Sequence, residues 1–216
     1  MTATQCALAA LVLCAAAIAA EEIMKTWEFQ DDKADEPPAG FSFGKTGQGR
    51  PGKWVVRTDA SAPKGDHVLA QIDTDDTDYR FPIAVADASL LKDGRVEVHC
   101  KPVSGKTDQA CGLVLRYRDE NNYYVVRANA LEDNVRLYRV VAGRRQQFAG
   151  WNGKVASQTW HTLAIEARGN RFQAFFDGKG VIDAQDDTFK DAGKLGVWTK
   201  ADSVTYFAIL AAKPLQ

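Results

Sequence analysis

The sequence predicts an all-β domain, a β-sandwich or jelly roll of two antiparallel sheets. From Trp54 onward, short runs that alternate apolar and polar residues follow one another, separated by Gly, Asn and Asp turn signals. After residue 20 no apolar run keeps a helical period for more than a turn or two. The 216 residues are 45% hydrophobic and 25% charged, which is ordinary composition for one globular domain.

The predicted strands begin after a polar segment rich in Gly and Pro. This segment, residues 21–53, is typical of an edge strand with long loops, and residues 54–216 form the main part of the sandwich, within one domain over 21–216. The predicted strands are 53–57, 67–71, 81–85, 95–101, 112–118, 123–129, 135–141, 162–168, 171–177, 194–199 and 205–210.

Residues 1–20 are predicted to be a signal peptide. Every residue from Ala7 to Ala20 is apolar, which is short for a membrane span of about 20 residues. Ala17 and Ala19 form an A-x-A cleavage site. No Lys or Arg precedes the apolar run, so an uncleaved N-terminal anchor is the alternative. We therefore expect a secreted or periplasmic protein with no membrane span once the leader is removed.

The net charge limits the possible partners, and the cysteine content indicates the cellular compartment. The formal net charge is −1, so no overall field attracts nucleic acid. Outside the leader only Cys100 and Cys111 remain, an even number that suits a disulfide in an oxidising compartment. Opposing Cys100 to Cys111 on paired strands also opposes Val98 to Leu113, which keeps both cysteines on the apolar face.

The strand register of two hairpins can be derived from the lengths of their turns. A four-residue turn at 119–122 pairs Tyr117 with Tyr124 on the core face. A two-residue turn at Gly169-Asn170 pairs Ala167 with Phe172 on another core face. Adding the strand that carries Cys100 to the first hairpin, and then strand 135–141 by pairing Leu137 with Ala128, predicts a single outer face. Its residues are Glu97, His99, Arg116, Arg118, Tyr123, Arg127, Asn129, Arg136 and Tyr138.

This predicted face has the chemistry of sugar recognition. Aromatic rings stack on pyranose faces, while guanidinium and carboxylate groups form paired hydrogen bonds with vicinal hydroxyls. The predicted ligand-binding residues are Arg116, Arg118, Tyr123, Arg127, Asn129 and Tyr138. The alternative is an ordinary solvated sheet face, because outer faces of antiparallel sheets are polar by default.

Other candidate sites are weaker. Glu97 and His99 share a face at i and i+2 and could form a general acid/base pair, although an ion pair between Glu97 and Arg116 is the competing use. The acidic run 73–78 lacks the Gly and the Glu of a calcium loop. We therefore expect a solvated acidic turn, no metal site and no cofactor, with calcium as the alternative. Trp198 is predicted at the surface and Trp54 in the core.

Several stretches of the chain resemble the exported bacterial LamG-like, concanavalin A-like jelly-roll proteins related to the 3-keto-disaccharide hydrolase domain family. These stretches are DENNYYVVRANA (119–130), NVRLYRVV (134–141), WHTL (160–163), FDGK (176–179) and GVWTKADS (196–203). The resemblance implies a concanavalin A-like jelly roll that meets a saccharide or glycoconjugate on its concave sheet face or on the loops at its rim.

The chain also departs from its catalytic relatives. The Glu-x-Asp-x-x-Glu spacing of family-sixteen glycosidases on this fold does not occur. Gln109-Ala110-Cys111-Gly112 stands where the 3-keto-disaccharide hydrolases tend to have Asn-Ser-Gly, and Ala208 follows Phe207 where they often have Asp. We therefore favour a non-catalytic carbohydrate-binding module. A glycoside hydrolase acting on modified (3-keto) disaccharides or glycosides is the alternative, and a structural domain without a small ligand is the third possibility.

The leader generates the first testable prediction. We expect the mature protein to begin near Ala20 or Glu21, because the A-x-A site ends at Ala19. Intact-mass measurement of exported protein checks this. A protein that keeps the mass of the leader and pellets with the membrane fraction would instead show an uncleaved anchor.

Overall fold

The computed structural model describes residues 24–215, which form fifteen strands and no helix. This stretch accordingly offers no helix that is long and apolar enough to cross a membrane. The predicted signal peptide and its cleavage site lie outside the described residues. The strands are β1 Lys25–Trp27, β2 Phe41–Gly47, β3 Trp54–Thr58, β4 His67–Gln71, β5 Arg80–Leu91, β6 Gly94–Ser104, β7 Ala110–Asp119, β8 Asn122–Asn129, β9 Asn134–Val141, β10 Arg144–Asn152, β11 His161–Arg168, β12 Arg171–Phe176, β13 Lys179–Gln185, β14 Gly193–Trp198 and β15 Val204–Pro214.

The strands form two sheets that pack face to face. Sheet I has the order β13-β12-β11-β6-β15-β4-β3, with β1 also paired to β15, and sheet II has the order β10-β9-β8-β7-β14-β5-β2. All the strand pairs are antiparallel. Buried side chains of both sheets, such as Val98 and Leu163 from sheet I and Leu113 and Val126 from sheet II, form the core between them. The predicted all-β sandwich is confirmed.

The predicted strands are present, and the edge strand expected in 21–53 is β2 of sheet II. The strands that the sequence analysis missed are β1, β10 and β13, and all of them are edge strands or lie off the main strand order. In β10 a register shift between Gln147 and Ala149 breaks the alternation, and β13 carries a similar shift. Interrupted alternation removes the period of two on which strand prediction depends.

The disulfide between Cys100 and Cys111 is confirmed, but the predicted strand pairing around it is wrong. Cys100 lies on β6 of sheet I and Cys111 on β7 of sheet II, with their Cα atoms 6.2 Å apart. Val98 pairs with Leu163 of β11 and with Leu210 of β15, and not with Leu113. The bond therefore crosses the core and joins the two sheets. Both cysteines point into the core whether their strands are paired in one sheet or face each other across two sheets. The alternation of side chains therefore could not distinguish these two arrangements.

The two predicted hairpin registers have different outcomes. Ala167 pairs with Phe172 as predicted. In the β7–β8 hairpin, however, Leu115 pairs with Tyr124, and Asp119 pairs with Asn122 beyond a register shift. Arg116 takes a positive φ of 48° at this bulge. The predicted register was therefore wrong by two residues, and Tyr117, which was expected in the core, packs against the apolar cluster on the outer side of sheet II.

Sheet II is strongly curved, with its outer face on the concave side. Arg145 lies on edge strand β10 and Phe81 on β5, five steps away in the strand order. Five steps of about 4.8 Å correspond to roughly 24 Å along a sheet. The Arg145 guanidinium nevertheless lies 4.5 Å from the Phe81 ring centroid, and Arg145 N–H donates to the Tyr79 hydroxyl at 2.8 Å. These contacts require the two sides of the sheet to curl toward each other.

Removal of the disulfide tests how much the link between the sheets stabilises the fold. Its cysteines are separated by 11 residues and are buried. We expect Cys100→Ala/Cys111→Ala to lower the free energy of unfolding by about 3 kcal/mol, because the unfolded chain regains the freedom of the open loop. Denaturant unfolding of oxidised wild type, reduced wild type and the variant measures this. Equal midpoints for all three proteins would contradict it.

Candidate functional site

An apolar cluster fills part of the concave face of sheet II. Its buried members are Phe81, Ile83, Val85, Ala110, Val114, Tyr123, Val125, Tyr138, Val140 and Trp198. Tyr123 Oη lies 2.7 Å from Thr46 Oγ1 and accepts a hydrogen bond from Trp198 Nε1 at 3.2 Å. Burial raises the pKa of the Tyr123 phenol well above its usual value. Tyr123 is therefore a packed residue here, and the expectation that Trp198 lies at the surface was wrong.

Polar residues gather beside this packed region and form what we call the concave cluster: Arg127, Glu132, Tyr138, Arg145 and Lys200. Arg127 is central to it and is almost fully buried. Its Nη2 donates to Glu132 Oε2 at 2.8 Å and to the Tyr138 hydroxyl at 3.2 Å. Burial opposes the ionisation of Glu132, but hydrogen bonds from Asn134 and Arg127 hold its pKa below the usual value. Glu132 thus presents a carboxylate whose side chain is 45% exposed.

Lys200 extends the cluster toward the β14–β15 loop. Its ammonium lies 2.6 Å from Asp78 Oδ1 and 3.0 Å from Asp108 Oδ2. Asp108 is fully buried and also accepts a hydrogen bond from Asn129 Nδ2 at 2.8 Å. Burial raises the pKa of the Asp108 carboxyl, although the Lys200 ammonium opposes the shift. Asp108, Asn129 and Lys200 therefore form a linked polar network at this end of the face, in which Asp108 Oδ2 has the Lys200 ion pair but no hydrogen bond from the described residues.

Arg145 occupies the centre of the concavity. Its guanidinium carbon lies 4.5 Å from the ring centroids of Phe81 and Tyr138 and 5.7 Å from that of Trp198. The Nη1 atom is buried and has no hydrogen-bond partner, while the residue as a whole is half-buried. The quadrupole of an aromatic ring attracts a cation, but the ring does not accept a conventional hydrogen bond as an oxygen atom does. The Nη1 donor of Arg145 is therefore unsatisfied within the packed cluster.

The structure brings together some of the predicted ligand-binding residues. Tyr123, Arg127, Asn129 and Tyr138 share the concave face. Arg116 does not, and its predicted place on the outer face was wrong. The bulge turns its side chain away, so that the buried guanidinium donates to Phe189 O at 2.7 Å and to Gly169 O at 2.7 Å.

Arg118 also lies away from the concave cluster. Its side chain is exposed, donates to Asp191 Oδ2 at 2.9 Å and lies over the Phe189 ring. Arg116 and Arg118 both follow the point where the β7–β8 register shifts, so the alternation used to place them no longer holds.

Glu97 and His99 were predicted to share this face, and that prediction was wrong. Both are on β6 of sheet I, with side chains directed away from the core, on the opposite side of the sandwich. Glu97 pairs with Arg95 at 2.7 Å and not with Arg116, while His99 Nε2 lies 3.8 Å from Glu97 Oε1. Both residues were assigned to the wrong face because β6 was predicted to pair with β7.

The acidic run 73–78 interacts with arginines and backbone groups. Asp73 accepts a hydrogen bond at 2.8 Å from Arg80, whose side chain is fully buried. The Thr77 hydroxyl and the Arg50 and Thr77 backbone N–H groups donate to Asp75 and lower its pKa. Within residues 24–215, no group of three or more His, Cys, Asp or Glu residues is arranged to hold a metal ion. The Asp73 and Asp75 carboxylates are thus engaged by guanidinium, hydroxyl and backbone N–H groups.

Two of the surface cavities that lie away from the concave cluster are lined by charged residues. The first, of about 350 Å³, is bordered by Lys45 and Glu120, whose side chains are held by backbone groups of Gly47 and Lys45. The second, of about 520 Å³ at the loop end, contains Asp202. The Asp202 carboxylate accepts the backbone N–H groups of residues 106–108. Lys45, Glu120 and Asp202 are therefore already engaged, and we place the candidate site at the concave cluster, where Arg127, Glu132, Tyr138 and Arg145 converge.

The sequence analysis missed Arg145, Glu132, Lys200 and Asp108. One signal was available for Arg145: Ala142-Gly143 is a two-residue turn that pairs Arg145 with Val140 on the apolar outer face. Lys200 and Asp108 lie in loops, where no strand period indicates the direction of a side chain.

Comparison with known proteins identifies the fold. No protein-family model and no curated protein matches the sequence. The carbohydrate binding module CBM66 from Bacillus subtilis superposes with a TM-score of 0.65 at 20% identity, over 84% of this chain and 98% of that one. A prokaryotic β-1,3-1,4-glucanase (lichenase) derived from a mouse hindgut metagenome superposes with a TM-score of 0.59 at 14% identity, over 89% and 99%.

A third solved domain has the same architecture. The Ca²⁺/Man-bound VIP36 exoplasmic/lumenal domain superposes with a TM-score of 0.60 at 12% identity, over 89% of this chain and 90% of that one. Identities this low show the fold alone. The chain therefore has the concanavalin A-like jelly-roll fold that its sequence resembles.

Burial of Tyr123 generates a stability prediction. We expect Tyr123→Ala to lower the free energy of unfolding by about 3–5 kcal/mol, as for truncation of a core aromatic residue. Tyr124→Ala, in the core between the sheets, should have a similar effect, while Leu90→Ala, at a residue 74% exposed, should change little. Denaturant unfolding measures all three. A Tyr123→Ala variant as stable as Leu90→Ala would show that the concave face is not packed.

Proposed function

We propose that this chain is an exported carbohydrate-binding module that engages a saccharide or glycoconjugate on the concave face of sheet II without cleaving it. The observation that carries the proposal is the convergence of Arg145, Tyr138 and Glu132 on that face. A half-buried guanidinium, a phenol and an exposed carboxylate provide both donors and acceptors for sugar hydroxyls.

The rigid placement of Tyr79 beside these groups also supports binding. Tyr79, whose ring is 39% exposed, donates through its hydroxyl to Gly143 O and accepts the Arg145 N–H. Its ring also packs edge-on against Phe81 at 4.7 Å. An aromatic side chain fixed in this way can stack on a sugar face with little loss of conformational entropy.

The fold and the disulfide support the same assignment. Structural neighbours include a carbohydrate binding module and a domain in a Ca²⁺/Man-bound form. The disulfide between Cys100 and Cys111 suits an oxidising compartment such as the periplasm or the exterior of the cell.

A glycoside hydrolase acting on modified (3-keto) disaccharides or glycosides is the second candidate. Asp108 favours it, because burial raises the pKa of this carboxyl beside the concave cluster as a general acid requires. Asp108 is fully buried and already bound by Lys200 and Asn129, so a substrate oxygen cannot reach it without rearrangement. This inaccessibility makes binding without cleavage the better-supported function.

Substitution of the exposed carboxylate tests the binding site. A glycan array first identifies the saccharide, and calorimetry then measures its affinity. We expect Glu132→Gln to weaken binding about tenfold, corresponding to about 1.4 kcal/mol, because the amide is a weaker acceptor of sugar hydroxyls. Glu97→Gln on sheet I is the matched control and should bind like wild type.

Four outcomes would contradict the proposal. Absence of any saccharide ligand would remove the function, and equal affinity of Glu132→Gln and wild type would move the site elsewhere. Turnover of a 3-keto-glycoside that disappears in Asp108→Asn would establish the hydrolase. Loss of turnover in Glu97→Gln would instead place the reaction on the outer face of sheet I.

A further inference from the structure

Two arginines of the β9–β10 hairpin that face the concave side have no carboxylate partner. Arg136 of β9 and Arg145 of β10 both face the concave side of sheet II, since Arg136 pairs with Arg127 and Arg145 with Val140. Neither forms an ion pair within the part of the chain that the structure describes. Each is half-buried, so water screens its charge less than it would on a fully exposed side chain.

The other charges on the concave face are paired. Arg127 pairs with Glu132, and Lys200 lies between Asp78 and Asp108. Since Lys200 faces two carboxylates, these five groups carry two positive and three negative charges, and the net positive charge of the face comes from Arg136 and Arg145. It arises in a chain whose formal net charge is −1, so it is a local feature and not a consequence of a basic composition.

Both side chains are held in place by groups that leave their charge uncompensated. Arg136 donates to Trp151 O at 2.7 Å and to Asn152 Oδ1 at 2.6 Å, both of them neutral acceptors. Gly150 lies directly opposite, and a Cβ there would approach Arg136 Cδ to 2.7 Å. The absence of that Cβ lets Arg136 lie flat across β10. Arg145 is held among aromatic rings, and its Nη1 lacks an acceptor.

We propose that the saccharide recognised at the concave cluster is an acidic oligosaccharide of the uronic-acid class, whose carboxylates pair with Arg136 and Arg145. This inference rests on the proposed function and specifies its ligand. A planar carboxylate matches the fork of N–H donors on a guanidinium. Val140, the partner of Arg145, lies four positions after Arg136 on β9, which corresponds to about 13 Å along the strand backbone. One sugar ring does not span that distance, so the ligand is an oligosaccharide.

The test compares a uronic-acid oligosaccharide with the same oligosaccharide after carboxyl reduction. We expect calorimetry to give at least tenfold tighter binding of the acidic form, and an affinity that falls as NaCl is raised. Arg136→Gln and Arg145→Gln should each weaken binding of the acidic form at least tenfold. Arg171→Gln is the matched control, because Arg171 is exposed on β12 of sheet I and paired with Asp183.

The outcomes separate the inference from the proposed function. Equal binding of the acidic and reduced forms would overturn the inference and leave a neutral-sugar module, whereas binding of neither form nor any other glycan would overturn the function itself. Tighter binding of a sulfated oligosaccharide than of the uronic-acid form would replace the carboxylate assignment. The melting temperature of Arg145→Gln shows whether this variant folds. If it does not, Arg136→Gln alone tests the pairing of ligand carboxylates with arginine, and unchanged affinity in Arg136→Gln would refute that pairing.

Discussion

The packing of Arg145 against Phe81 and Tyr138 is the contact on which the shape of sheet II depends. It joins strands that lie five positions apart in the sheet, and Tyr79 reinforces it through hydrogen bonds at the β9–β10 turn. A flat sheet would leave the rings of Tyr123 and Trp198 in water as a large apolar patch. Curling buries them, so this sheet has apolar packing on both faces, between the sheets and within the concavity.

Packing on both faces explains what the sequence could and could not predict. Alternation identified the central strands and the parity of their side chains, because the core between the sheets imposes a period of two. The run Tyr123–Val126 is apolar at every position and fully buried, which is the pattern of a strand covered on both sides. The sequence analysis took one face of it as solvated, and so expected Tyr123 to contact ligand.

Register and sheet membership require information that parity does not contain. Cys100 and Cys111 meet across the core, yet paired strands would give the same alternation. The bulge at Arg116 depends on a positive φ in a residue that rarely adopts one, and no turn residue marks it in the sequence. Consequently, Arg127 and Tyr138 could be assigned to this face from the sequence. Arg145 was not assigned because it lies on an edge strand that the sequence analysis missed, and Lys200 was not assigned because it lies in a loop.

Curvature also determines where a ligand can bind. The same bend that makes the face concave brings Phe81 and Trp198 under Arg145 and fills the interior of the concavity. Under the proposed function, a ligand contacts the surface of a packed cluster along the β9–β10 hairpin, where the polar side chains are fixed by hydrogen bonds and ring contacts. Groups fixed in this way lose little conformational entropy on binding. Because most rings of the cluster are buried against one another, selectivity there depends on the charged and hydrogen-bonding groups more than on aromatic stacking.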